Sequence, residues 1–135
     1  MLWLLGVGRI FPNDVPAPTH RKHIARSFVR TSARRFTLTA YTAQCDGCSG
    51  ITATGIDVRH RTRYEGKAII AVDPSVIALG ATVEIRFADG RTVEAVAEDT
   101  GGAIDGREID LLVGSRSEAM RIGRDSVEVT IIERK

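Results

Sequence analysis

The sequence predicts a small, mainly β domain, built as a closed barrel of about six short strands with one or two short helices. Apolar and polar residues alternate in several short runs, which is the pattern of half-buried strands. Only 5% of the residues are aromatic, so the core must consist of Val, Ile, Leu and Ala, many of them β-branched. A closed barrel is expected because many short strands would otherwise leave open hydrogen-bonding edges.

Six runs of residues have the character of strands. They are residues 36–42, 68–72, 82–87, 92–97, 108–113 and 127–132. Asp89 and Gly90 lie between the third and fourth runs. They predict a hairpin with a type I′ turn, which requires two consecutive residues with positive φ.

The clearest helix is predicted at residues 115–123. Ser115 and Glu118 form a capping box, in which each side chain accepts a hydrogen bond from an otherwise unpaired amide at the helix start. Gly123 follows the apolar residues of this segment and is expected to end the helix, because glycine readily adopts left-handed φ.

Residues 1–35 differ in charge from residues 36–135. The first segment carries seven Lys/Arg and one acidic residue, whereas the second carries twelve Lys/Arg and sixteen acidic residues. Three of the four prolines also lie in the first segment. We therefore interpret 1–35 as a basic arm or linker and 36–135 as the folded domain. The arm is either a solvated segment or an electrostatic contact to an anionic polymer.

The sequence contains no apolar stretch long enough to span a bilayer. The apolar start at residues 1–8 is far shorter than the roughly 20 residues that a membrane helix needs. It also makes a poor signal peptide, because it lacks a positively charged beginning and is soon followed by Pro12 and Asp14. An upstream leader and another export route are both compatible with this pattern.

Cys45 and Cys48 form the only cysteine pair, in a C-x-x-C arrangement. A zinc site would need two further ligands, and His20, His23 and His60 do not offer an obvious second pair at zinc spacing. We therefore expect no metal and no cofactor. A local disulfide and two free thiols both fit, and export would favour the disulfide.

Three aspartates are distinguished by their context. Asp73 precedes Pro74, Asp99 precedes a Thr-Gly-Gly sequence, and Asp110 interrupts an apolar strand. A charge in such surroundings is costly unless it is paired or lies at a site. Asp73 also fits a helix N-cap, and Asp99 also fits a turn anchor. Asp110 has no turn or cap to serve, so we expect it in a cleft.

The segment between Asp99 and Asp110 is rich in glycine. Gly101, Gly102 and Gly106 let the backbone turn tightly and approach a ligand closely. Such a loop would bring both carboxylates to one cleft, where their mutual repulsion would raise the pKa of one of them. A raised carboxyl pKa is what a general acid needs near neutral pH.

Residues 41–55 are rich in hydroxyl groups and glycine. Tyr41, Thr52 and Thr54 suit a sugar, which offers both hydrogen-bonding groups and apolar faces. On composition alone, an ordinary polar loop is the alternative.

Four segments in the expected order resemble the 3D, or three-aspartate, domain of bacterial cell-wall proteins. They are YTAQCDGCSGITATG (41–55), AVDPSVIALG (71–80), AEDTGGAI (97–104) and IDL (109–111). The catalytic barrel of membrane-bound lytic transglycosylase A is similar. The resemblance covers about residues 36–135 and implies a six-stranded double-psi β-barrel.

The resemblance also implies roles for individual residues. Asp73, Asp99 and Asp110 would be the three namesake aspartates. Asp110 would act first as an acid and then as a base, and the other two would support the site. The residues expected to line the glycan groove are Tyr41, Thr52, Thr54, Gly101 and Gly102.

The implied activity is that of a lytic transglycosylase. It cleaves the β-1,4 bond between N-acetylmuramic acid and N-acetylglucosamine and leaves a 1,6-anhydro ring. One carboxyl suffices because the C6 hydroxyl attacks within the same sugar, which supplies an entropic advantage. We expect a monomer that acts on peptidoglycan outside the cytoplasm, in the wall, secreted or phage-associated, with no nucleic-acid partner.

Two departures from the family pattern keep rival functions open. Asp105 stands where many relatives carry Lys, and the added negative charge is expected either to weaken substrate binding or to alter the titration of the site. Residues 59–67 are unusually basic. A peptidoglycan-binding module without catalysis is therefore the main alternative, since fold does not determine function. A third class is an interaction protein that binds an anionic polymer through its basic arm.

Overall fold

The computed structural model describes residues 28–134, which hold eight strands and one helix. The strands are β1 (Phe28–Arg30), β2 (Arg34–Tyr41), β3 (Arg63–Tyr64), β4 (Lys67–Val72), β5 (Thr82–Arg86), β6 (Thr92–Thr100), β7 (Glu108–Leu112) and β8 (Asp125–Arg134). The helix α1 spans Arg116–Ile122. All six predicted strands and the predicted helix are present. No helix within 28–134 has the length and apolar character needed to cross a membrane.

Six of the strands close into a barrel within the compact unit Arg30–Ile132. Their order is β8-β2-β7-β4-β6-β5, and β5 pairs back with β8. The pairs β2–β7 and β4–β6 are parallel, and the other four neighbouring pairs are antiparallel. The predicted six-stranded barrel is therefore confirmed. Closure leaves no open edge among these six strands.

The barrel interior is filled by aliphatic side chains. Leu38, Ile70, Ile85 and Ile109 are fully buried there, one from each of four strands. Their neighbours along the strand point outward, because successive side chains of a strand face opposite sides. The polar residues of the strands therefore lie on the outer face, where the candidate site is found.

A second, smaller cluster lies on the outer face of the barrel. Ile69 and Leu112 project outward and pack with Val58 from the long segment between β2 and β3. Tyr41 and Ile56 pack against the same cluster. This contact holds the segment carrying the Tyr41 to Gly55 motif against the barrel wall.

The helix begins and ends close to where the sequence indicates. The Ser115 hydroxyl accepts a hydrogen bond from the amide of Glu118, and Gly123 closes the helix with φ of 59°. The Glu118 carboxylate accepts from the amide of Gly114 at 3.3 Å, one residue before the predicted capping-box partner. The helix start is therefore capped from both sides.

The hairpin between β5 and β6 is present, but the predicted type I′ turn is wrong. Gly90 has φ of 91°, whereas Asp89 is not among the residues with positive φ. The amide of Gly90 donates to the carbonyl of Phe87, and Phe87 pairs with Arg91, so the loop has three residues and ends on a left-handed glycine. Two consecutive positive φ angles occur instead at Glu65 and Gly66, between β3 and β4.

Candidate functional site

Asp110 lies in the middle of β7 on the outer face of the barrel. Its neighbour Ile109 is fully buried in the interior, so the carboxyl group points the other way. Thr39 of β2 is its register partner, and the Thr39 hydroxyl donates to Oδ1 of Asp110 over 3.0 Å. The side chain is partly buried. It therefore sits where a ligand on the barrel surface can reach it.

The barrel places Asp99 and Asp110 on either side of Ala71. Ala71 of β4 pairs with Asp110 of β7, and on its other side with Asp99 of β6, after a register shift between Ile70 and Ala71. Neighbouring strands lie about 4.8 Å apart, so the two aspartate backbones are separated by roughly 10 Å. The two carboxylates thus belong to one region of the outer face.

Tyr41 lies close to both carboxylates. It follows Thr39 by two residues on β2, so both side chains face outward. Its hydroxyl donates to Oδ2 of Asp99 over 2.9 Å. Burial first, and then the negative charges of Asp99 and Asp110, raise the pKa of Tyr41 well above its usual value. Tyr41 is therefore a neutral hydrogen-bond donor at any physiological pH.

The remaining bonds of Asp99 are to backbone amides. Its Oδ1 accepts from the amides of Ala53 and Thr100, each over 2.9 Å. Together with Tyr41, these bonds join β6 to β2 and to the turn that contains Ala53. Asp99 thus anchors neighbouring chain segments, the structural role that its place before a turn also allowed.

Asp73 is saturated by hydrogen bonds in a similar way. Its Oδ1 accepts from the amide and the hydroxyl of Ser75, over 2.9 and 2.7 Å. Its Oδ2 accepts from the amide of Gly106 over 2.8 Å. The bond from Gly106, followed by those from Ser75, lowers the pKa of Asp73 to about 2. Residues 73–77 form a turn rather than a helix, so Asp73 caps a turn and ties it to the loop before β7.

Asp110 lines a cleft of about 230 Å³. The other lining residues are Thr37, Thr39, Ala103, Ile104, Glu108 and Arg124. Burial raises the pKa of Asp110, and the charge of Asp99 adds a smaller increase, while the Thr39 hydrogen bond opposes both. The sequence pointed to repulsion from Asp99 as the cause, but loss of hydration on the barrel wall is the larger one.

Two charged residues of this cleft were missed in the sequence. Glu108 precedes Asp110 by two residues on β7, so strand periodicity alone would place both carboxylates on one face. Arg124 lies just before β8, far away in the sequence, and no local pattern connects it to the cleft. Only the closure of the barrel brings Arg124 near Asp110.

The glycine-rich loop contributes to the cleft through the residues that follow its glycines. Ala103 and Ile104 line the cleft, whereas Gly101 and Gly102 lie in the exposed turn before them. A Cβ atom at Gly101 would come within 3.0 Å of Cγ1 of Ile104. Glycine at this position therefore leaves room for the Ile104 side chain. Direct glycan contact by the two glycines stays a prediction.

The predicted sugar-binding hydroxyls take part in an internal network. The Thr52 hydroxyl accepts from the amide of Ile56 over 3.0 Å and lies 3.2 Å from that of Thr54. The Thr54 hydroxyl donates to the carboxylate of Glu98 over 2.5 Å. Thr52 is only 5% exposed. These hydroxyls shape the turn that Asp99 holds, and glycan contact by Thr52 and Thr54 stays a prediction.

Cys45 and Cys48 are joined as a disulfide in an exposed turn of the same segment. This is one of the two states left open by the sequence. Within residues 28–134, no cluster of three or more His, Cys, Asp or Glu residues could hold a metal ion. His20 and His23 lie outside the described residues.

Comparison with known proteins finds a family match within this barrel. The 3D domain family model matches residues 68–133. Two Bacillus subtilis (strain 168) relatives are the SPbeta prophage-derived uncharacterized protein YorM, 48% identical over 93 residues, and the cell wall-binding protein YocH, 47% identical over 96 residues. The matched regions cover 68% and 71% of this chain. They cover only 39% and 31% of the two relatives.

Solved structures share the fold at lower identity. The lytic transglycosylase MltA from E. coli matches with a TM-score of 0.51 and 24% identity, over 63% of this chain and 28% of that chain. The Streptomyces papain inhibitor matches with a TM-score of 0.50 and 20% identity, over 76% of this chain and 96% of that chain. One fold thus serves proteins with different activities. Residues 68–133 of this chain therefore match the 3D domain, and the barrel that contains them shares its fold with MltA.

Proposed function

We propose that this chain is a peptidoglycan lytic transglycosylase that acts outside the cytoplasm, with Asp110 as its acid and base. The observation that carries the proposal is the environment of Asp110 at the barrel surface. Asp110 lines a cleft, and its carboxyl group has a raised pKa and accepts a hydrogen bond from the Thr39 hydroxyl. A raised pKa favours the protonated form that a general acid needs. The 3D family match and the name of the cell wall-binding protein YocH support peptidoglycan as the substrate.

The reaction begins with Asp110 in its neutral form. It gives its proton to the glycosidic oxygen as the bond from that oxygen to C1 of N-acetylmuramic acid breaks. The resulting carboxylate then takes the proton of the C6 hydroxyl on the same sugar, and that oxygen bonds to C1. Asp110 is protonated again, no water is consumed, and the product carries a 1,6-anhydro ring.

The neighbouring residues have supporting roles in this proposal. Thr39 donates to Oδ1 of Asp110 and thereby orients the carboxyl group, so that Oδ2 can exchange the proton. The negative charge of Asp99 favours the protonated form of Asp110 and the positive charge that develops at C1. Tyr41 holds Asp99 in place from β2.

The test is the mass spectrum of soluble fragments released from purified peptidoglycan. The wild-type protein is expected to release fragments with 1,6-anhydro ends. Asp110→Asn should slow their release by roughly a hundredfold or more, which is the usual contribution of a general acid. Asp89→Asn is a matched control, because it makes the same substitution in the exposed β5–β6 turn, where the side-chain oxygen can still accept from Arg91. Wild-type rates for Asp110→Asn would refute the assignment.

The second candidate function is a peptidoglycan-binding module without catalysis. The name of YocH, a cell wall-binding protein, favours it. Asp105 lies exposed in the loop before β7, where it adds negative charge close to the cleft. Binding to purified wall without any soluble fragments would establish this function instead. Restored cleavage by Asp105→Lys would then identify that charge as the cause.

A further inference from the structure

A second groove lies apart from the Asp110 cleft, where α1, the β5–β6 hairpin and the start of β4 meet. Its volume is about 540 Å³, and it shares no lining residue with the cleft. Partly buried apolar side chains form its floor, among them Phe87, Val93, Leu111 and Ile122. Leu111 directly follows Asp110 on β7, so the same strand contributes to both depressions.

Three arginines form the rim of this groove. Arg63, Arg91 and Arg121 are all exposed, and each comes from a different element or turn. The acidic residue lining the groove is Glu118, whose carboxylate already accepts a hydrogen bond from Gly114. The groove therefore presents a net positive charge around an apolar floor.

Two of the rim arginines are held in place by the protein. The guanidinium carbon of Arg91 lies 4.5 Å from the centre of the Phe87 ring. Stacking of this kind leaves the in-plane N–H groups free to donate. Arg63 donates from Nη1 to the carbonyl of Gly66 over 3.0 Å. A guanidinium group fixed in this way can bind a carboxylate through two parallel hydrogen bonds at reduced entropic cost.

The combination of rim and floor narrows the chemistry of the occupant. Polyol phosphates and nucleic-acid backbones would satisfy the arginines but leave the apolar floor without partners. The N-terminal residues 1–27 carry four Lys/Arg and one acidic residue, so their charge opposes binding to an arginine rim. A short peptide with free carboxylates and small apolar side chains satisfies both features.

We propose that this arginine-rimmed groove binds the stem peptide of peptidoglycan. The inference rests on the proposed function, since it assigns a second part of the same substrate to a second surface. Stem peptides hang from N-acetylmuramic acid, carry free carboxylates and contain alanine methyl groups. The groove would select glycan strands that still bear peptides, while the cleft acts on the sugar.

The test compares two forms of one purified wall preparation from which anionic polymers have been removed. One form keeps its stem peptides, and the other has been stripped of them by an amidase. Affinity is measured by co-sedimentation of the full chain carrying Asp110→Asn, so that the wall stays intact. The parent protein should bind the peptide-bearing form about tenfold more tightly, as expected for several exposed charge pairs worth roughly two- to fivefold each.

The triple variant Arg63→Gln, Arg91→Gln, Arg121→Gln should abolish this preference and leave binding to stripped glycan unchanged. Its matched control changes Arg34, Arg86 and Arg107, which are exposed and outside the groove, to Gln. The control should keep the preference. Equal losses on both forms, or no loss on either, would each overturn the peptide assignment.

The proposed activity is tested separately on stripped glycan strands. Formation of 1,6-anhydro ends there depends on the cleft and needs no peptide. Absence of these ends from both stripped and peptide-bearing strands, with the peptide preference intact, would overturn the activity and leave the groove standing. Presence of the ends, with no peptide preference, would overturn only the groove.

Discussion

Asp73 and Asp110 are the same residue type on one barrel, yet their surroundings have opposite effects on their charge. Three hydrogen bonds from Ser75 and Gly106 stabilise the ionised form of Asp73 and lower its pKa to about 2. Asp110 accepts one from Thr39 and loses hydration on the barrel wall, so its pKa is raised. The comparison shows that the number of hydrogen bonds accepted by a carboxylate distinguishes a structural anchor from a group suited to transfer a proton.

Asp99 resembles Asp73 in the number of hydrogen bonds that it accepts. It accepts from Tyr41, Ala53 and Thr100, which come from three parts of the chain. Its charge nevertheless acts on Asp110 across β4. Asp99 therefore has both a structural role, through its hydrogen bonds, and an electrostatic effect on Asp110.

Substitution at Asp99 is expected to have the largest effect on stability. Asp99→Ala removes the acceptor for the Tyr41 hydroxyl and two amides, and should lower the free energy of unfolding by roughly 2–3 kcal/mol. Asp99→Asn keeps one acceptor oxygen and should cost less than half as much. Urea denaturation of both variants gives these values. Equal stability of Asp99→Ala and wild type would show that Asp99 does not stabilise the fold.

Substitution at Asp110 is expected to act in the opposite direction. Because the folded pKa is raised, ionisation of Asp110 costs stability as the pH rises above the ordinary aspartate pKa of about 4. Asp110→Asn should therefore be more stable than wild type at pH 7, by less than about 1 kcal/mol because solvent screens a partly exposed group. The gain should disappear below pH 4. If Asp110→Asn is less stable than wild type at pH 7, the Asp110 carboxylate stabilises the folded structure.

The smallest effect is expected at Glu108, the second carboxylate of the cleft. A lytic transglycosylase needs no base to activate water, so Glu108→Gln should retain the rate within about threefold and still release 1,6-anhydro ends. A glycoside hydrolase that inverts the configuration at the anomeric carbon would use such a second carboxylate as the base that activates water. A hundredfold loss, together with reducing ends from the wild type, would make Glu108 that base.

The fold could be predicted from the sequence because its signals are local and agree with each other. The alternation in β2, the aliphatic run in β4 and the caps of α1 each indicate an element whose burial then matches. The turn type failed at Asp89 because a favourable dipeptide does not determine loop length. The pairing of Phe87 with Arg91 adds a third residue to that loop.

The site could be predicted only in part. Strand periodicity places Asp110 outward, and the family resemblance points to Asp73 and Asp99. The hydrogen bonds that give the three aspartates different roles, however, come from amides that are distant in the sequence, such as that of Gly106. Arg124 reaches the cleft only because β8 closes the barrel beside β2. The larger role of burial in the pKa of Asp110 likewise depends on tertiary packing.

The most direct test of this account is a titration of the aspartate side-chain carboxyl carbons by NMR, with resonances assigned by single Asp→Asn substitutions. The account predicts that Asp73 titrates near pH 2 and that Asp110 titrates above the ordinary aspartate range of about 4. Asp99→Asn should lower the Asp110 value only slightly, because burial is the larger cause. An Asp110 that titrates at or below the ordinary value would contradict the proposal that it holds the catalytic proton.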